Sequence, residues 1–276
     1  MCRLLAWVSR APATMEEMVG RQDLAGFTAL ARIHRDGWGM AWGSGEDSGA
    51  DRPDVAHSML CAAEDPGFAR ATRSARGDAG IVHLRWATPG MAVTVPNCHP
   101  FARGDLAMSH NGGIYPLDRI GEILPAEWEA TVQGTTDSER YVLAVVAGRQ
   151  DSGKPVADVI VEVVGRLFSE WSPSSLNAIC LTPDAVLAVS AWDPRVPAPA
   201  LPESADEYYA LRYQVTAGGV VVSSSGYPQP RSQGWRRLEN MTMLEIRRNS
   251  VDLAVRALPF DPSAGAGAVT RVTDVR

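Results

Sequence analysis

The chain has few cysteines, few histidines and no long apolar run, and each shortage argues against a class of protein. The four cysteines, at positions 2, 61, 98 and 180, have no paired spacing, so they predict packed, reduced thiols and neither a disulfide framework nor a zinc site. The five histidines include no HxxxH pair, so we expect no metal centre. No stretch approaches the roughly 20 apolar residues that a membrane-spanning helix needs.

Charge and glycine patterns argue against further classes. The formal net charge is −6 with scattered basic residues, so no basic field would attract nucleic acid or an anionic membrane. Neither a GxxxxGK[ST] loop nor a Rossmann glycine series is present, so we expect no cofactor, and an ATP-dependent step would belong to another chain. Because Arg3 and Arg10 bracket only six residues, the start does not read as a secretory signal. We therefore expect a cytoplasmic protein.

The most informative feature that is present is the cysteine at position 2. Removal of Met1 would place a thiol and a free α-amine on the same residue. The amine has an ordinary pKa of roughly 7.7 to 8.0 and the thiol one of about 8.5, so the amine can accept the thiol proton near neutral pH. Such an N-terminal nucleophile can open an amide. A lone early cysteine is more often a packing residue, so this interpretation depends on segments downstream.

Three downstream segments supply what an amide-cleaving site requires. Residues 80–88 form an apolar strand that leads into Arg85, whose planar fork suits a carboxylate. Residues 106–114 form a strand that breaks into Asn111 and Gly112, and a side-chain amide with a backbone N–H can build an oxyanion hole. The third segment contains Asp137, which could hold an ammonium group. Together these residues predict a pocket for an α-amino acid whose side-chain amide is attacked.

Each segment also has a simpler interpretation. Asn111-Gly112 is a favoured tight-turn dipeptide. Thr136-x-x-Glu139 is typical of a helix capping box, in which case Asp137 would be a first-turn acid that the helix dipole favours. Arg85 could be a surface residue or an ion-paired one. The conjunction of all three segments with Cys2 favours the catalytic interpretation.

The motifs resemble those of class II glutamine amidotransferases, which are N-terminal nucleophile hydrolases. Order, approximate spacing and residue types all agree, and the motifs are Cys2 after Met1, His83-Leu84-Arg85-Trp86-Ala87-Thr88, Asn97-Cys98-His99-Pro100-Phe101, His110-Asn111-Gly112 and Thr136-Asp137-Ser138-Glu139. Short single-domain members, which include the γ-glutamyl hydrolase of ergothioneine biosynthesis, are nearest. They share segments similar to 36–42, 219–224 and 234–236 of this chain, so the resemblance runs from Cys2 to about Arg247.

The resemblance implies a role for each matched residue. Cys2 would be the nucleophile with its own α-amine as base, and Asn111 and Gly112 would form the oxyanion hole. Arg85 would bind the α-carboxylate of a γ-glutamyl group, and Asp137 its α-ammonium. The residues that would shape the pocket around the arginine are Trp86 and Thr88.

The resemblance also implies the fold, which the order of elements permits. Helices grouped between runs of strands favour an α+β fold with antiparallel sheets over a doubly wound parallel sheet, and the family implies a four-layer α/β/β/α sandwich of two antiparallel sheets. We expect a single glutamine amidotransferase type 2 domain over 2–258 and a flexible tail over 259–276. Strands are predicted at 4–8, 37–42, 80–87, 106–110, 176–181, 185–191, 219–223, 241–247 and 251–257. Helices are predicted from the capping box Thr14-x-x-Glu17 and at 66–74, 137–149 and 155–171, and loops at 43–52 and 193–206.

The leaving group is what the sequence leaves open. The expected reaction is hydrolysis of a γ-glutamyl amide through a γ-glutamyl thioester, which releases glutamate and ammonia or an amine. Alternatives are a glutaminase subunit that supplies ammonia to a separate synthase, or a catalytically silent regulatory or assembly subunit. Many short members have Ser-Glu-Pro where this chain has Ser224-Ser225-Gly226. The 193–206 loop and this turn would have to recognise a leaving group, and the candidate stacking residues, each of which is singly more typical of a core, are Tyr208, Tyr209 and Trp235.

Overall fold

The structure is a computed structural model that describes residues 2–43, 52–88, 90–196 and 204–260. Within these residues the helices are α1 Met15–Val19, α2 Arg21–Ala29, α3 Pro66–Ser74, α4 Ala126–Glu129, α5 Asp137–Ser152, α6 Val156–Glu170 and α7 Ala205–Tyr208. The strands are β1 Arg3–Thr14, β2 Trp38–Trp42, β3 Asp54–Ser58, β4 Arg76–Leu84, β5 Phe101–Arg103, β6 Leu106–Asn111, β7 Asn177–Leu181, β8 Ala185–Ser190, β9 Leu211–Thr216, β10 Gly219–Ser224, β11 Arg236–Leu238, β12 Thr242–Arg247 and β13 Leu253–Ala257.

The strands pair into two antiparallel sheets that pack face to face. The first has the order β11-β9-β10-β1-β4-β2-β3, and the second has the order β13-β12-β8-β7-β6-β5. Side chains alternate along β1: Leu4, Ala6 and Val8 lie in the core between the sheets, whereas Leu5 and Trp7 pack on the other face. Because successive side chains of a strand point to opposite faces, each sheet has one face for its partner sheet and one for helices.

The helices cover both outer faces. Helices α1, α2 and α3 pack against the first sheet, and α5 and α6 pack against the second. The spacing that predicted α6 places Val159, Ile160 and Val163 in the core between the second sheet and its helices. Burial of each such side chain stabilises the fold by about 1.5 to 3 kcal/mol. The predicted four-layer sandwich of two antiparallel sheets is confirmed. Across the described residues, no helix combines the length and apolar character needed to cross a bilayer.

The predicted elements agree with the structure in type and differ at some ends. The capping box at the start of α1 forms, with Thr14 N donating to Glu17 Oε2 at 2.8 Å and Glu17 N donating to Thr14 Oγ1 at 3.3 Å. The strand predicted at 80–87 is wrong at both ends: it begins at Arg76, where β1 offers a partner, and stops at Leu84, so Arg85 lies just beyond it.

Four strands escaped prediction because each is short, exposed or charged, and they are β3, β5, β9 and β11. The predicted loops lie only partly within the described residues. Positions 44–51 of the first loop and 197–203 of the second lie outside them, and the second loop runs into α7 at Ala205. Of the predicted tail, 261–276 lies outside the described residues, while Phe260 packs against Gly165 of α6.

Candidate active site

Three predicted site residues meet because strands β1, β4 and β6 end at the same edge of the sandwich. Arg3 pairs with Leu84 and Leu4 with His83, so the same antiparallel register carried one step further sets Cys2 opposite Arg85. Asn111 is the last residue of β6 in the second sheet, and its side chain meets the start of β1. The site therefore spans the two sheets at one end of their shared core.

Cys2 is tied to the predicted oxyanion residue. Its backbone nitrogen donates to Asn111 Oδ1 at 2.7 Å across 109 positions of sequence, and its Sγ lies 3.8 Å from the carbonyl oxygen of Trp86. The side chain is buried, and this burial raises the pKa of the thiol, while the positive charge of Arg85 opposes the shift and the negative charge of Asp137 adds to it. The thiol therefore needs a base close by to become a thiolate.

The amide of Asn111 and the N–H of Gly112 have hydrogen-bonding capacity that the protein does not use. Oδ1 is occupied by Cys2, which leaves Nδ2 without a hydrogen bond among the described residues. In the same part of the chain, the N–H of Gly112 also has no partner. A Cβ on Gly112 would lie 1.9 Å from the carbonyl oxygen of Ser175 and 2.8 Å from Nε2 of His110. Only glycine fits here, so the backbone is held where two donors can converge.

Arg85 is buried and only half satisfied. Its Nη2 donates to the carbonyl oxygen of Ala92 at 3.0 Å, whereas Nη1 is buried without a hydrogen-bond partner. The backbone is fixed, since Arg85 N donates to Gly37 O at 2.9 Å and Asp36 N donates to Arg85 O at 3.0 Å. An unpartnered N–H of a charged group is costly to bury, and an anion at this point would remove the cost. The surface interpretation of Arg85 is therefore wrong.

Asp137 begins α5 but does not cap it. The N-cap is Thr136, whose Oγ1 accepts from Glu139 N at 3.1 Å. Asp137 instead reaches out of the helix, and its Oδ2 accepts from Ile114 N at 2.8 Å, two residues after the predicted oxyanion glycine. Its Oδ1 has no hydrogen bond among the described residues. Asp137 therefore lies in the first turn, as the helix-dipole interpretation expects, but its carboxylate is also buried with one open oxygen, which that position alone does not explain.

A brace that the sequence did not predict joins the arginine side of the pocket to the aspartate side. Asn97 is buried, and its Nδ2 donates to Ala92 O at 3.0 Å, the same oxygen that holds Arg85. Its Oδ1 accepts from Thr135 N at 2.8 Å, two residues before Asp137. Asn97 lies in a motif that supported the resemblance, but sequence spacing gave no sign of its partners.

The loop before α5 is fixed from its other side by Glu139. Its carboxylate accepts from Gln133 N at 2.9 Å and from Gly134 N at 2.7 Å, and it pairs with Arg103 at 2.7 Å. The predicted capping box is therefore wrong in its second half, because Glu139 bonds the preceding loop and not the backbone of Thr136. A Cβ on Gly134 would lie 2.3 Å from Asn97 Oδ1. Only glycine at position 134 therefore lets the loop pass this close to Asn97.

The two predicted pocket-shaping residues follow Arg85 and are half-buried. The Trp86 ring meets His34 edge-on, with centroids 5.7 Å apart, and its carbonyl oxygen faces the thiol of Cys2. Thr88 accepts a turn hydrogen bond from Met91 N at 2.9 Å, which directs the chain toward Ala92. Asp36, to which the sequence assigned no role, accepts from Ala87 N at 2.8 Å and fixes this segment.

The three aromatic residues considered for stacking on a leaving group are all in the core. Tyr208 and Tyr209 are buried and pack with Trp192, and Trp235 is buried among the helices of the first sheet. Arg3 lies over the Tyr208 ring at 4.3 Å and donates to Ser225 Oγ at 3.2 Å. These contacts agree with the core interpretation of the aromatic residues.

Buried histidines surround the site. Burial lowers the pKa of His34 to about 3 and holds those of His83 and His99 well below the usual value, so all three are neutral. His83 and His99 stack with ring centroids 4.1 Å apart. His110 Nδ1 lies 2.9 Å from Ser138 Oγ and its Nε2 lies 2.9 Å from Ser175 O. Because a carbonyl can only accept, His110 carries its proton on Nε2 and ties β6 to α5.

Comparison with known proteins finds relatives that match about half of the chain. The chain is 30% identical over 153 residues to the glutamine–fructose-6-phosphate aminotransferase (isomerizing) of Zymomonas mobilis, which covers 54% of this chain and 24% of that protein. It is 27% identical over 154 residues to a probable glutamine amidotransferase of Saccharomyces cerevisiae, which covers 50% of this chain and 43% of that protein. The chain therefore spans less than half the length of these curated relatives.

Solved structures show the same fold. A glutamine aminotransferase class-II domain protein from Silicibacter pomeroyi superposes with a TM-score of 0.62 at 18% identity, over 93% of this chain and 99% of that one. An allosteric regulatory enzyme of purine biosynthesis gives a TM-score of 0.60 at 16% identity, over 95% of this chain and 50% of that one. The family model for class-II glutamine amidotransferases matches residues 1–179, a span that contains every predicted site residue. The chain therefore belongs to the class-II glutamine amidotransferases.

Proposed function

We propose that this protein hydrolyses a γ-glutamyl amide with Cys2 as an N-terminal nucleophile, through a γ-glutamyl thioester. The observation that carries the proposal is the 2.7 Å hydrogen bond from Cys2 N to Asn111 Oδ1. It joins the proposed nucleophile to Asn111, whose Nδ2 is still free to donate to an oxyanion, as attack on an amide carbonyl requires. The buried, half-satisfied Arg85 and the open oxygen of Asp137 support a substrate with a carboxylate and an ammonium group.

The α-groups of the substrate bind first. The carboxylate takes the unpartnered Nη1 of Arg85, and the ammonium takes Oδ1 of Asp137. Asn97 holds these two ends at a fixed separation through Ala92 and Thr135, so the γ-carbonyl is presented to Cys2 in one orientation. A substrate that lacks one α-group would leave a buried charge unpaired, which restricts the site to γ-glutamyl compounds.

Chemistry then depends on the amine that Met1 removal exposes. With one N–H donated to Asn111 Oδ1, the lone pair of the Cys2 amine can take the thiol proton, and this base compensates for the burial that raises the pKa of the thiol. The thiolate attacks the γ-carbonyl carbon. Asn111 Nδ2 and Gly112 N–H donate to the oxyanion, and loss of one such donor typically costs roughly 2.7 to 4 kcal/mol.

Collapse of the tetrahedral intermediate releases the leaving group. The protonated amine gives its proton to the departing nitrogen, which leaves as ammonia or an amine while the γ-glutamyl group stays on Cys2 as a thioester. Water, deprotonated by the same amine, then attacks the thioester carbonyl at the same oxyanion site. Glutamate departs and the thiol is restored, so one base serves both halves of the reaction.

A second candidate function is an ammonia-supplying subunit for a separate synthase. The observation that favours it is the similarity to the glutamine–fructose-6-phosphate aminotransferase of Zymomonas mobilis, which is named for amino transfer from glutamine to an acceptor. A silent regulatory or assembly role receives no such support, because the thiol, both donors and both charged groups are all present and brought together. We expect the protein to act without nucleic acid, metal or cofactor in the cytoplasm.

The two catalytic functions differ in what purified protein does alone. We expect protein that begins at Cys2 to hydrolyse γ-glutamyl amides, with a higher kcat/KM for bulky leaving groups than for glutamine. Cys2→Ser is the matched variant, because it keeps the size of the side chain and removes the readily formed thiolate. Efficient glutamine hydrolysis that starts only when a synthase is added would favour the ammonia-supplying subunit. No turnover of any γ-glutamyl amide, either by the protein alone or with a synthase added, would contradict both functions.

A further inference from the structure

A tyrosine just beyond the predicted oxyanion segment turns back over it. Tyr115 follows Gly113 by two residues, and a Cβ placed on Gly113 would lie 2.8 Å from Tyr115 Oη and 3.0 Å from its Cε2 and Cζ atoms. The phenol end of the ring therefore lies against the backbone of Gly113. With 40% of its surface exposed, the residue has one side against Gly113 and the other in solvent.

Hydrogen bonds fix the backbone at and before Tyr115. Ser172 N donates to Tyr115 O at 3.0 Å, and Gly113 N donates to Ser174 Oγ at 3.0 Å. Ile114, between the two, donates its N–H to Asp137 Oδ2 at 2.8 Å. The tyrosine is thus carried by the backbone segment that also holds the predicted ammonium-binding carboxylate, so the segment that bears it is already in place when a ligand arrives.

Electrostatics places the phenol within the field of that carboxylate. Partial burial raises the pKa of Tyr115, and the negative charge of Asp137 raises it further. The hydroxyl is therefore a neutral phenol throughout the neutral pH range. A neutral phenol oxygen accepts a hydrogen bond, and an ammonium group has three N–H donors, of which a single carboxylate oxygen uses one.

Building on the proposed function, we infer that Tyr115 is a specificity-determining residue at the ammonium end of the pocket. Its hydroxyl oxygen accepts a hydrogen bond from the α-ammonium that Asp137 holds, and its ring closes this end of the pocket toward solvent. The substrate class is thereby narrowed to γ-glutamyl compounds with an unmodified α-amine. If Tyr115 served only to cover Gly113, replacement by phenylalanine would leave glutamine binding unchanged.

Binding measurements with a matched ligand pair separate these two roles. Tyr115→Phe keeps the ring and removes only the hydroxyl, and a Cys2→Ala background stops turnover. The ligands are L-glutamine and glutaramate, which is glutamine without its α-amino group. By calorimetry, we expect Tyr115→Phe to weaken glutamine binding about three- to tenfold, the range for one hydrogen bond, and glutaramate binding less than about twofold. Tyr213→Phe, on β9, is the control and should change neither.

A kinetic measurement adds an independent readout. In the protein that retains Cys2, Tyr115→Phe should raise KM for glutamine by the same three- to tenfold and leave kcat within about twofold, because a ground-state contact is lost. Unchanged glutamine affinity, or equal losses for glutamine and glutaramate, in a protein whose wild type hydrolyses γ-glutamyl amides would overturn this inference alone. A wild type that neither binds nor hydrolyses any γ-glutamyl amide would overturn the proposed function and this inference with it.

Discussion

The two ends of the candidate site differ in whether their polar groups are still available. At the end proposed for the α-groups, Arg85 Nη1 is buried without a partner and Asp137 has an open oxygen. At the turn proposed to face the leaving group, Ser224 Oγ already accepts from Leu4 N at 2.9 Å, and Ser225 Oγ donates to Glu207 O at 2.5 Å. Polar groups therefore remain available for a ligand at the first end, whereas those at the second end already bond other parts of the protein.

This difference indicates where specificity resides. A buried charge that only a ligand can satisfy discriminates strongly, because a ligand without the matching group leaves it unpaired. Hydroxyls that already have backbone partners discriminate weakly. The account therefore predicts a protein that is strict about the γ-glutamyl group and tolerant of what is attached to it. The predictions below test this contrast, from the largest expected effect to the smallest.

The oxyanion donors should matter most among the residues that surround the nucleophile. We expect Asn111→Ala to lower kcat by roughly 10²- to 10³-fold, the usual cost of one oxyanion donor, and to leave KM for glutamine within a few-fold. Steady-state kinetics on protein that begins at Cys2 gives both constants. A large rise in KM with unchanged kcat would contradict this role. It would show that Asn111 contacts the bound substrate and does not stabilise the transition state.

The ammonium site should control KM. Removal of the charge by Asp137→Asn should raise KM for glutamine about 10- to 100-fold, since a buried ammonium loses its partner. The effect on glutaramate, which has no α-ammonium, should be much smaller. Equal effects on both compounds would mean that Asp137 serves only to hold Ile114 and the start of α5.

The buried histidines predict that stability falls in acid. Burial lowers the pKa of His34 to about 3, and His83 and His99 are also held well below the usual value. As pH drops below about 6.5, the unfolded chain takes up protons and the folded one does not, so each such histidine lowers the free energy of unfolding by up to about 1.4 kcal/mol per pH unit. Urea unfolding from pH 7.5 to pH 5 measures this loss. Stability that stays level over that range would contradict the neutral, buried state of the three rings.

The smallest effect should come from the other end of the site. Ser225→Ala removes a hydroxyl that the protein uses internally, so we expect kcat/KM for glutamine to change by less than about threefold. The same variant should also keep its ranking of leaving groups. A loss as large as that of Asp137→Asn would remove the contrast between the two ends.

Much of the site could be predicted from sequence because its chemistry is local. Cys2, Arg85, Asn111 and Asp137 each lie in a short segment whose residue types suit one task, and the strands that lead to them were predictable in type, although not in all of their ends. What could not be predicted is how the segments hold one another. The brace by Asn97 joins Ala92 to Thr135, a contact that only the folded chain creates.

The fold shows the same limit. Helix α6 was predictable because its apolar spacing extends over several turns, and the start of α5 was predictable from Thr136 as its N-cap. Strand β9 was missed although its residues alternate between apolar and polar, because it is short and only Leu211 in it is buried, and its place depends on pairing with β10. Glu139 shows the same limit. Its spacing from Thr136 correctly predicted that its backbone N–H bonds the threonine hydroxyl, but its carboxylate bonds the preceding loop and Arg103.

The central claim is that Cys2, with a free α-amine, carries the γ-glutamyl group. Intact mass spectrometry of active protein, acid-quenched during turnover of a γ-glutamyl amide, tests it most directly. The account predicts a chain that begins at Cys2, with a fraction that carries one γ-glutamyl group as a hydroxylamine-sensitive thioester that peptide mapping places on residue 2. Active protein that retains Met1, or an adduct that persists in Cys2→Ser on another residue, would contradict it.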